Sequence, residues 1–590
     1  MTDNRQQTTD NRQQTGYPSI DKPWLKYYSE EDISTPLTES TLYGYIWEKN
    51  KDHLNDIALI FFGRKISYGE LFKKIDSTTK MLMNLGVTTG DTVSVVAITT
   101  PEIIYLLYAC ARIGAIANML DPRMPIDILE RLIRNAKSKY LFMINIFGDI
   151  TKELANRCDL LAVVEIDMKQ SMGSMSKLGF AFKNGEKTAR QKEILQWDAA
   201  IKKSSELSIN MNSKMEPNGL SPVLIEYTGG TTGFPKGVLL SNNNVNSVGE
   251  QYGVLPYYKK RGELCQSVAA PFIAYTIIIS THMPLMTGKI CKIAIYNPEK
   301  IAEDIIRNQY NHVYGNPAMW SKVIHSKEAK NKDFSKLIVP VTGADAISTI
   351  LWEEINEFLE THNCRNVLCN GYGMTELASA VCVNVSKDVW RLGSVGIPFV
   401  KTTIAIFDTE TEMELPYNSI GEVCVSGPSV MIGYLNNQQA TDEMIRVHAD
   451  GNRWLHTGDL GHIDNDGFVF IDGRMKRMII RANGAKVFPG EIERIILLIK
   501  EIAGCAVVGK KEKDSSTGVF PVAFIVVKAN EDQATVKERI LGLCEKELQD
   551  YAVPKGIVFI DDIPLTPIGK VDYRKLEKMA EEANEEEWDF

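Results

Sequence analysis

The sequence lacks a disulfide or zinc framework, a long apolar run and an excess of positive charge. Its ten cysteines include no C-x-x-C pair, which argues against a structural zinc site and favours reduced thiols in the cytoplasm. The most apolar long region, 92–120, is interrupted by Pro101, Glu102 and Arg112, so no segment reaches the ~20 apolar residues of a transmembrane helix. A net charge of -9 argues against a nucleic-acid partner.

Length and the two ends of the chain constrain its organisation. The 590 residues exceed the ~250–300 at which a single core stops growing, so at least two domains are expected. Residues 1–16 contain TDNRQQT twice and are polar throughout, which predicts a disordered repeat rather than a signal peptide. Residues 579–590 form an acidic tail, which we expect to be solvated.

Apolar runs alternate with helical spacing over much of the chain, and this predicts layers of parallel α/β structure. The predicted strands are 57–61, 92–96, 140–144 and 161–166, and the predicted helices are 71–85 and 101–113, the latter with Pro101 at its first position. Residues 167–193 have few β-branched side chains and several lysines, which indicates a surface insertion. Residues 400–435 indicate a β-rich subdomain.

A break near 472–476 separates a final region of ~110 residues, enough for a small domain. Its predicted elements are strands at 506–508 and 522–527 and a helix at 535–546. The predicted fold class is therefore α/β (α+β overall). A large N-terminal domain, 17–474, is followed by a small C-terminal α+β domain, 475–578.

The most informative segment is a glycine- and threonine-rich loop at 227–237, YTGGTTGFPKG, which follows the apolar run 223–225. Glycine allows the backbone to approach a ligand closely, and successive N–H groups form a nest for anions. Together with the hydroxyls and Lys236, these groups predict a polyphosphate site. A plain hairpin turn is the alternative, but turns are seldom this long.

The loop is not a Walker A motif, which requires Gly-Lys-Ser/Thr at the start of a helix. Lys236 lies between Pro235 and Gly237, and 238–240 (VLL) predicts a strand rather than a helix. The loop instead resembles the signature of the adenylate-forming superfamily, which includes acyl- and aryl-CoA synthetases, luciferases and peptide-synthetase adenylation domains. Gly229 stands where that family commonly has serine.

Further motifs occur in the order of that family and extend the resemblance from about Tyr43 to Leu576. They are NGYGMTE at 370–376, VTGAD at 341–345, TGD at 457–459, GR at 473–474 and PLTPIGKVD at 564–572. The resemblance implies ATP contacts from Thr228, Gly229, Gly230, Thr231, Thr232, Gly233, Lys236, Gly343, Ala344, Asp345, Gly371, Tyr372, Gly373, Met374, Asp459 and Arg474.

Individual roles follow from the resemblance and from the side-chain chemistry. Tyr372 offers a face for adenine, Glu376 and Thr231 offer oxygen ligands for Mg²⁺, and Thr375 can hydrogen-bond a phosphate or the substrate carboxylate. Asp459 and Arg474 are implied to hold the ribose.

The C-terminal region is implied to move between two half-reactions. Lys570 is the implied catalytic lysine, whose charge stabilises the developing acyl-adenylate. Lys476 is the implied hinge. Arg481 and Gly484 are implied to contact coenzyme A, in a loop at 474–489 that is one residue longer than in many relatives.

The predicted function is an ATP-dependent ligase that converts a carboxylic acid into an acyl-adenylate and then into a coenzyme A thioester. The alternatives are an acyl-AMP ligase or a stand-alone adenylation enzyme that loads a separate carrier protein, a luciferase-type oxygenase, and a non-catalytic binding relative. The implied pocket walls, around 272–279, 313–317, 343–345 and 371–374, are largely apolar, which favours a fatty or other hydrophobic acid. The sequence leaves open the chain length of the acid and the oligomeric state, homodimer included.

Overall fold

The computed structural model describes residues 15–173, 194–205, 217–228, 234–267, 270–295, 297, 299–511, 518–528, 531–565 and 571–583, with backbone only for residue 170. These residues form two compact units. One comprises 15–29, 403–425 and the chain from 456 onward, and the other comprises 30–402 and 426–455. We refer to them as the split unit and the main unit. The predicted boundary between domains 17–474 and 475–578 stays a prediction.

The main unit contains two large sheets, and the first is mostly parallel because helices connect its strands. Its eight strands lie in the order Gly433–Tyr434, Lys236–Ser241, Pro222–Thr228, Ile116–Leu120, Thr92–Val96, Tyr140–Ile144, Ala162–Ile166 and Ile194–Gln196. Its helices are Tyr68–Asn84, Pro101–Ile113, Ile126–Asn135, Gly148–Arg157 and Trp197–Ser204.

The second sheet of the main unit has nine strands. Their order is Ile397–Pro398, Cys382–Val383, Cys369–Tyr372, Val339–Thr342, His312–Gly315, Leu264–Ser267, Ile290–Ile293, Ile57–Phe61 and Arg64–Ser67. The remaining helices of the unit are Glu30–Ser34, Leu42–Asn50, Asn242–Gly253, the π-helical Tyr275–His282 with Met283–Met286, Ile301–Asn308, Pro317–Ile324, Thr349–Thr361 and Gln438–Met444. Strand Ile445–Val447 pairs with residues 453–455.

The split unit contains an N-terminal segment with the short helices Pro18–Asp21 and Pro23–Tyr27, a β-rich part and a C-terminal α+β part. The β-rich part contains Thr403–Phe407, Gly421–Ser426, the later residues of Arg453–Ile463, and Val469–Arg474. The C-terminal part contains the sheet Ile502–Lys511, Val519–Val527 and Gly556–Phe559, the strand pair Ile479–Ile480 and Lys486–Val487, and helices Pro489–Ile496, Gln533–Glu547 and Tyr573–Glu582. The C-terminal part contains one almost wholly aliphatic cluster and a second cluster that includes Phe520 and Phe524.

The predicted mixture of α/β layers, a β-rich subdomain and a C-terminal α+β region is confirmed. Most predicted strands appear within a residue or two of their expected bounds, and Pro101 does occupy the first turn of its helix. The predicted helix at 71–85 begins earlier, at Tyr68, because Ser67 accepts a hydrogen bond from the Glu70 N–H and caps it.

Three predicted boundaries fall on residues that pack in the structure. Of the insertion predicted at 167–193, Met168 and Met172 are buried rather than on the surface, and Ser171 hydrogen-bonds Glu102; residues 174–193 lie outside the described residues. At the end of the repeat predicted for 1–16, the Thr15 N–H bonds Asp21, and residues 1–14 are not described. At the start of the tail predicted for 579–590, Ala580 is fully buried in the last described helix, and residues 584–590 are not described. The limits of the repeat and of the tail stay predictions.

None of the helices in the described ranges combines the length and the apolar character needed to cross a bilayer. All ten cysteines lie within the described residues, and none of them forms a disulfide there.

A neutral histidine lies in the core of the main unit. The side-chain amide of Asn246 donates to the Ser40 carbonyl, so its oxygen faces His282 and accepts from Nε2–H at 2.9 Å. Nδ1 is then the acceptor for the Tyr108 hydroxyl, also at 2.9 Å. Burial lowers the pKa of His282 to about 3.

We therefore expect acid to destabilise the protein through His282. Because its folded pKa lies below the unfolded value, only the unfolded chain takes up this proton between pH 6.5 and pH 3, and stability falls as the pH falls through that range. From pH 6.5 to pH 5 the loss is about 2 kcal/mol. Urea denaturation at both pH values should show this slope in the wild type and a smaller slope in His282→Gln. An equal slope in the wild type and in His282→Gln would contradict the assignment.

Candidate functional site

The glycine- and threonine-rich loop connects two antiparallel strands of the first sheet. Strand Pro222–Thr228 leads into it and strand Lys236–Ser241 leaves it, with Thr228 paired opposite Lys236. The strand after the loop confirms that this is not a Walker A motif, which would open a helix. Gly229, Gly230, Thr231, Thr232 and Gly233 lie outside the described residues, so their predicted phosphate contacts stay predictions.

The described end of the loop is anchored through Phe234. Its ring packs beside the aliphatic cluster of the first sheet, and the guanidinium of Arg131 lies 4.1 Å from the ring centroid. A cation at this distance over an aromatic face is attracted to it. The last part of the loop is therefore fixed directly before Lys236.

One tyrosine connects Lys236 to the predicted magnesium ligand. The Tyr434 hydroxyl donates to Glu376 Oε1 at 2.7 Å, and Lys236 Nζ lies 4.7 Å from the centroid of the same ring. Tyr434 reaches this place because strand Gly433–Tyr434 pairs with the strand that begins at Lys236. Two motifs that lie 140 residues apart in the chain thus contact the same side chain, one at its hydroxyl and the other over its ring.

The electrostatics of this arrangement favour a protonated tyrosine and a fixed carboxylate. Burial and the neighbouring Glu376 raise the pKa of Tyr434 well above its usual value, so its hydroxyl remains a hydrogen-bond donor. Glu376 is itself buried. No local pattern in the sequence identifies Tyr434, because a Gly-Tyr pair has no special meaning until strand pairing places it beside Glu376.

The predicted adenine-side segments lie at one edge of the second sheet. Strands Val339–Thr342 and Cys369–Tyr372 are parallel neighbours, with Thr342 opposite Asn370. Their carboxyl ends therefore place 343–345 beside 371–374, at the edge where ligands of open α/β sheets bind. The structure brings together the two segments that the sequence predicted to meet.

The backbone of these segments is tightly constrained. A side chain at Gly373 would collide with the Ser379 carbonyl, 1.8 Å from the ideal Cβ position, so only glycine fits there. Ala344 has a left-handed φ of 66°, a strained conformation that concentrates at functional sites. Tyr372 is half-buried and Thr375 begins the short turn Thr375–Leu377, which leads directly to Glu376.

A buried acid that the sequence did not single out lies two residues before Thr228. Glu226 is 1% exposed, and neither of its carboxyl oxygens has a hydrogen-bond partner among the described residues. Burial raises the pKa of Glu226 well above its usual value, which favours the neutral form of this carboxyl beside the loop.

In the split unit, the two predicted ribose residues face each other. Asp459 and Arg474 are paired on neighbouring antiparallel strands, and Arg474 Nε lies 2.7 Å from Asp459 Oδ1. Asp459 is buried, whereas the side chain of Arg474 is 54% exposed. A buried carboxylate oriented by an exposed, rigid guanidinium offers hydrogen bonds to two adjacent hydroxyls.

A second set of polar side chains lies next to this pair and was not predicted. Glu422 Oε2 accepts from His456 Nδ1 at 2.7 Å, and Cys424 Sγ lies 3.4 Å from the same nitrogen. All three are buried. Glu422 and Cys424 share one strand face, since they are two residues apart.

The remaining predicted residues lie in the C-terminal part of the split unit. Lys476 is the exposed middle residue of the turn Met475–Arg477. Arg481 and Gly484 belong to the turn between strands Ile479–Ile480 and Lys486–Val487, closed by a bond from the Gly484 N–H to the Arg481 carbonyl at 2.9 Å. Lys570 lies outside the described residues, but Leu565 and Val571, which flank 566–570, pair as a β-bridge.

Comparisons with known proteins find similarity over nearly the whole chain. Residues 46–435 match the family described as AMP-binding enzyme, and residues 491–570 match the AMP-binding enzyme C-terminal domain. The long-chain-fatty-acid–CoA ligase of Bacillus subtilis (strain 168) is 26% identical over 94% of this chain and 97% of its own. The probable 4-coumarate–CoA ligase 1 of Dictyostelium discoideum is 28% identical over 83% of this chain and 86% of its own.

Solved structures show the same fold. The anthranilate CoA ligase AuaEII in complex with anthranoyl-AMP superposes with a TM-score of 0.77 at 21% identity, covering 92% of this chain and 98% of that one. ATP-bound MatB from Rhodopseudomonas palustris gives a TM-score of 0.75 at 23% identity, with coverage of 92% and 99%. The matched domains span more than half of the sequence, and the chain therefore belongs to the AMP-binding enzymes, in the adenylate-forming acyl-CoA ligase family.

Proposed function

We propose that this protein is an AMP-forming ligase that joins a hydrophobic carboxylic acid to coenzyme A. The observation that carries the proposal is that Glu376 and Lys236 contact the same tyrosine, Tyr434. Glu376 accepts from its hydroxyl, and Lys236 lies over its ring. This arrangement holds an acidic group and a basic group together at the end of the predicted phosphate loop. Activation of a carboxylate by ATP needs both, one to hold a cation and one to neutralise phosphate charge.

In the first step the carboxylate attacks the α-phosphate of ATP, and pyrophosphate leaves. Thr228, Lys236 and the loop between them would bind the departing phosphates. Asp459 and Arg474 would hold the ribose, and Tyr372 with 343–345 would hold the adenine. Fixed donors and charges of this kind lower the barrier by positioning and by stabilising charge that develops in the transition state.

The residues present suit a magnesium ion. Glu376 is a buried carboxylate with Oε1 held by Tyr434, and Mg²⁺ needs only one or two such protein oxygens because it keeps most of its waters. When bound, Mg²⁺ neutralises phosphate oxygens. Glu376 is the described residue that we assign to it, and Thr231 stays a predicted ligand.

In the second step the thiol of coenzyme A attacks the acyl carbonyl and AMP leaves. We assign Arg481 and Gly484 to coenzyme A. We assign Lys476 to the hinge that changes the position of the C-terminal region between the steps, as hinges at element ends do. The ten cysteines, none of which forms a disulfide in the described residues, support a reducing compartment, the cytoplasm, as the place of this reaction.

A hydrophobic acid is favoured by the walls expected for the acyl group. Ile277, Ile278, Ile279 and Val313 are all fully or almost fully buried. The two named relatives are ligases of long-chain fatty acids and of 4-coumarate, which are both acids with a large apolar part. We therefore propose a fatty or arylalkenoic acid rather than an amino acid.

Pyrophosphate release from ATP should be measured over a panel of carboxylic acids, with and without coenzyme A. We expect release with acids of large apolar part, and thioester with AMP only when coenzyme A is present. An amino acid as the best substrate would overturn the proposed substrate class. Accumulation of acyl-adenylate without thioester would instead support an acyl-AMP ligase that loads a separate carrier protein.

Tyr434→Phe should reduce adenylate formation by about 10- to 100-fold, the worth of one hydrogen bond to a charged group. The ring stays and keeps its contact with Lys236, but Glu376 loses its donor. The measurement is the rate of pyrophosphate release as a function of Mg²⁺ concentration, and we expect the variant to need more Mg²⁺. Tyr551→Phe, at an exposed tyrosine, is the matched control. An unchanged magnesium dependence in Tyr434→Phe would show that Tyr434 does not position Glu376.

A further inference from the structure

The strand Arg453–Ile463 departs from extended backbone at Gly458, and we refer to Thr457–Asp459 as the turn. Hydrogen bonds to the neighbouring strand hold this turn, and that strand contains Glu422, which belongs to no predicted motif. The Gly458 N–H donates to Glu422 Oε1 at 3.0 Å. The Thr457 hydroxyl donates to the Val423 carbonyl at 2.7 Å and accepts from the Asp459 N–H at 3.0 Å. Every residue of Thr457–Asp459 is therefore bonded, directly or through its neighbour, to the strand that contains Glu422.

The conformation of this turn requires such support. Gly458 has a φ of 69°, a left-handed conformation in which glycine is flexible and has no preference of its own. A bond to its N–H is therefore what selects one conformation. Glu422 provides the acceptor, and its other oxygen is fixed by His456 at 2.7 Å.

These residue types also bind zinc, but their spacing here is that of a hydrogen-bonded set. Two nitrogen or oxygen ligands of a tetrahedral zinc lie about 3.3 Å apart, given bonds of about 2.0–2.1 Å. Glu422 Oε2 and His456 Nδ1 lie closer, at 2.7 Å, and the second carboxylate oxygen is bonded to Gly458. The carboxylate is thus already engaged by the turn.

We propose that Glu422, oriented by His456, is a positioning residue for nucleotide binding: it fixes the turn Thr457–Asp459 so that the Asp459 carboxylate meets the ribose hydroxyls of ATP. Asp459 is oriented from two sides, by Arg474 Nε at 2.7 Å and by the turn on its N-terminal side. Loss of Glu422 releases the turn but leaves Asp459 and Arg474 in the chain. The proposal rests on the proposed function, because it takes Asp459 to be the ribose contact.

The test compares binding of ATP with binding of 2′,3′-dideoxy-ATP to the purified full chain, by calorimetry without acid or coenzyme A. The ratio of the two affinities reports the ribose hydroxyls alone. In the wild type we expect a ratio of about 10 to 100, the worth of hydrogen bonds to a charged group. In Glu422→Ala we expect ATP binding to weaken, dideoxy-ATP binding to stay the same, and the ratio to fall toward 1.

Two further variants separate positioning from a general loss of structure. Glu422→Gln keeps an acceptor for the Gly458 N–H and a group that can bond His456, so we expect a ratio within a few-fold of the wild type. Thr457→Val conserves volume but removes both hydroxyl bonds of the turn, so we expect the ratio to fall as in Glu422→Ala. The exposed pair His325–Glu354, with 3.2 Å between Nε2 and Oε1, provides the control Glu354→Ala, which should leave the ratio unchanged.

Asp459→Ala distinguishes failure of this inference from failure of the assignment beneath it. If the ratio falls in Asp459→Ala but persists in Glu422→Ala and Thr457→Val, Asp459 binds ribose without help from Glu422, and the positioning role is refuted. If the ratio persists in Asp459→Ala, Asp459 does not bind ribose and both assignments fail. Equal weakening of the two nucleotides in Glu422→Ala would also refute the inference, because it would mean a loss that does not involve the ribose.

Discussion

Lys570→Ala is expected to slow pyrophosphate release from ATP by about 100- to 1,000-fold, the usual effect of removing one group that stabilises transition-state charge. Thioester formation from supplied acyl-adenylate should stay within a few-fold of the wild type. The reason is that this lysine is assigned to the first half-reaction only, where negative charge accumulates between the carboxylate and the α-phosphate. Both half-reactions should be measured separately, with the acid preferred in the substrate panel.

The described chain next to Lys570 supplies a control. Leu565 pairs with Val571, and the Asp572 N–H donates to the Pro564 carbonyl at 2.8 Å, so the residues on either side of 566–570 are bonded to each other. Lys578, on the helix that follows, is exposed and lies 3.7 Å from Glu582. Lys578→Ala should leave both half-reactions unchanged. Equal loss of both half-reactions in Lys570→Ala, or loss of neither, would refute the catalytic role.

Lys476→Pro is expected to suppress one half-reaction by about 100-fold, the cost of misplacing catalytic groups by about 1 Å, and to spare the other. Proline fixes φ near −65°, so the turn can no longer change conformation between the two steps. Lys476→Ala changes the same side chain but leaves φ free, and both of its half-reactions should stay close to wild type. The measurement is again pyrophosphate release and thioester formation from supplied acyl-adenylate.

Residues on either side of Lys476 are held by contacts, and this is why we expect the change in backbone torsion angles to occur at Lys476. Arg474 is paired with Asp459. Arg477 donates to the Val507 carbonyl at 3.0 Å, and its guanidinium lies 3.6 Å from the ring centroid of Tyr573. The exposed residue between two anchored arginines is the natural place for torsional change. If Lys476→Pro slows both half-reactions by the same factor, or slows neither, Lys476 is not the hinge.

Much of the fold could be predicted because it is encoded locally. The strand at 92–96 and the helix that begins at Pro101 follow from the alternation of apolar runs and from a proline at a helix start. Where the local sequence pattern did not predict the observed structure, packing against distant residues determined it. Residues 168–172 look like loop by composition, but Ser171 and two methionines are buried against the helix that contains Glu102.

The residues of the candidate site likewise fall into those that local patterns identify and those that only long-range pairing brings into the site. Residues within motifs, such as Lys236, Glu376 and Asp459, could be identified because their spacing in the chain is characteristic. Tyr434 and Glu422 could not be identified in this way, because Tyr434 bonds a residue 58 positions away and Glu422 bonds one 36 positions away. A hydrogen bond between distant residues leaves no periodic pattern in a single sequence.

The sequence by itself determined the family, the order of the motifs and the chemistry that each motif offers, because these depend on residue types at fixed local spacing. Tertiary structure alone decided that Lys236 and Glu376 meet on one tyrosine, that Asp459 faces Arg474, and that a buried Glu422–His456 pair supports the turn Thr457–Asp459. The physical reason is that strand pairing sets which side chains share a face. That pairing is chosen by the whole core, whose apolar contacts join residues far apart in the chain.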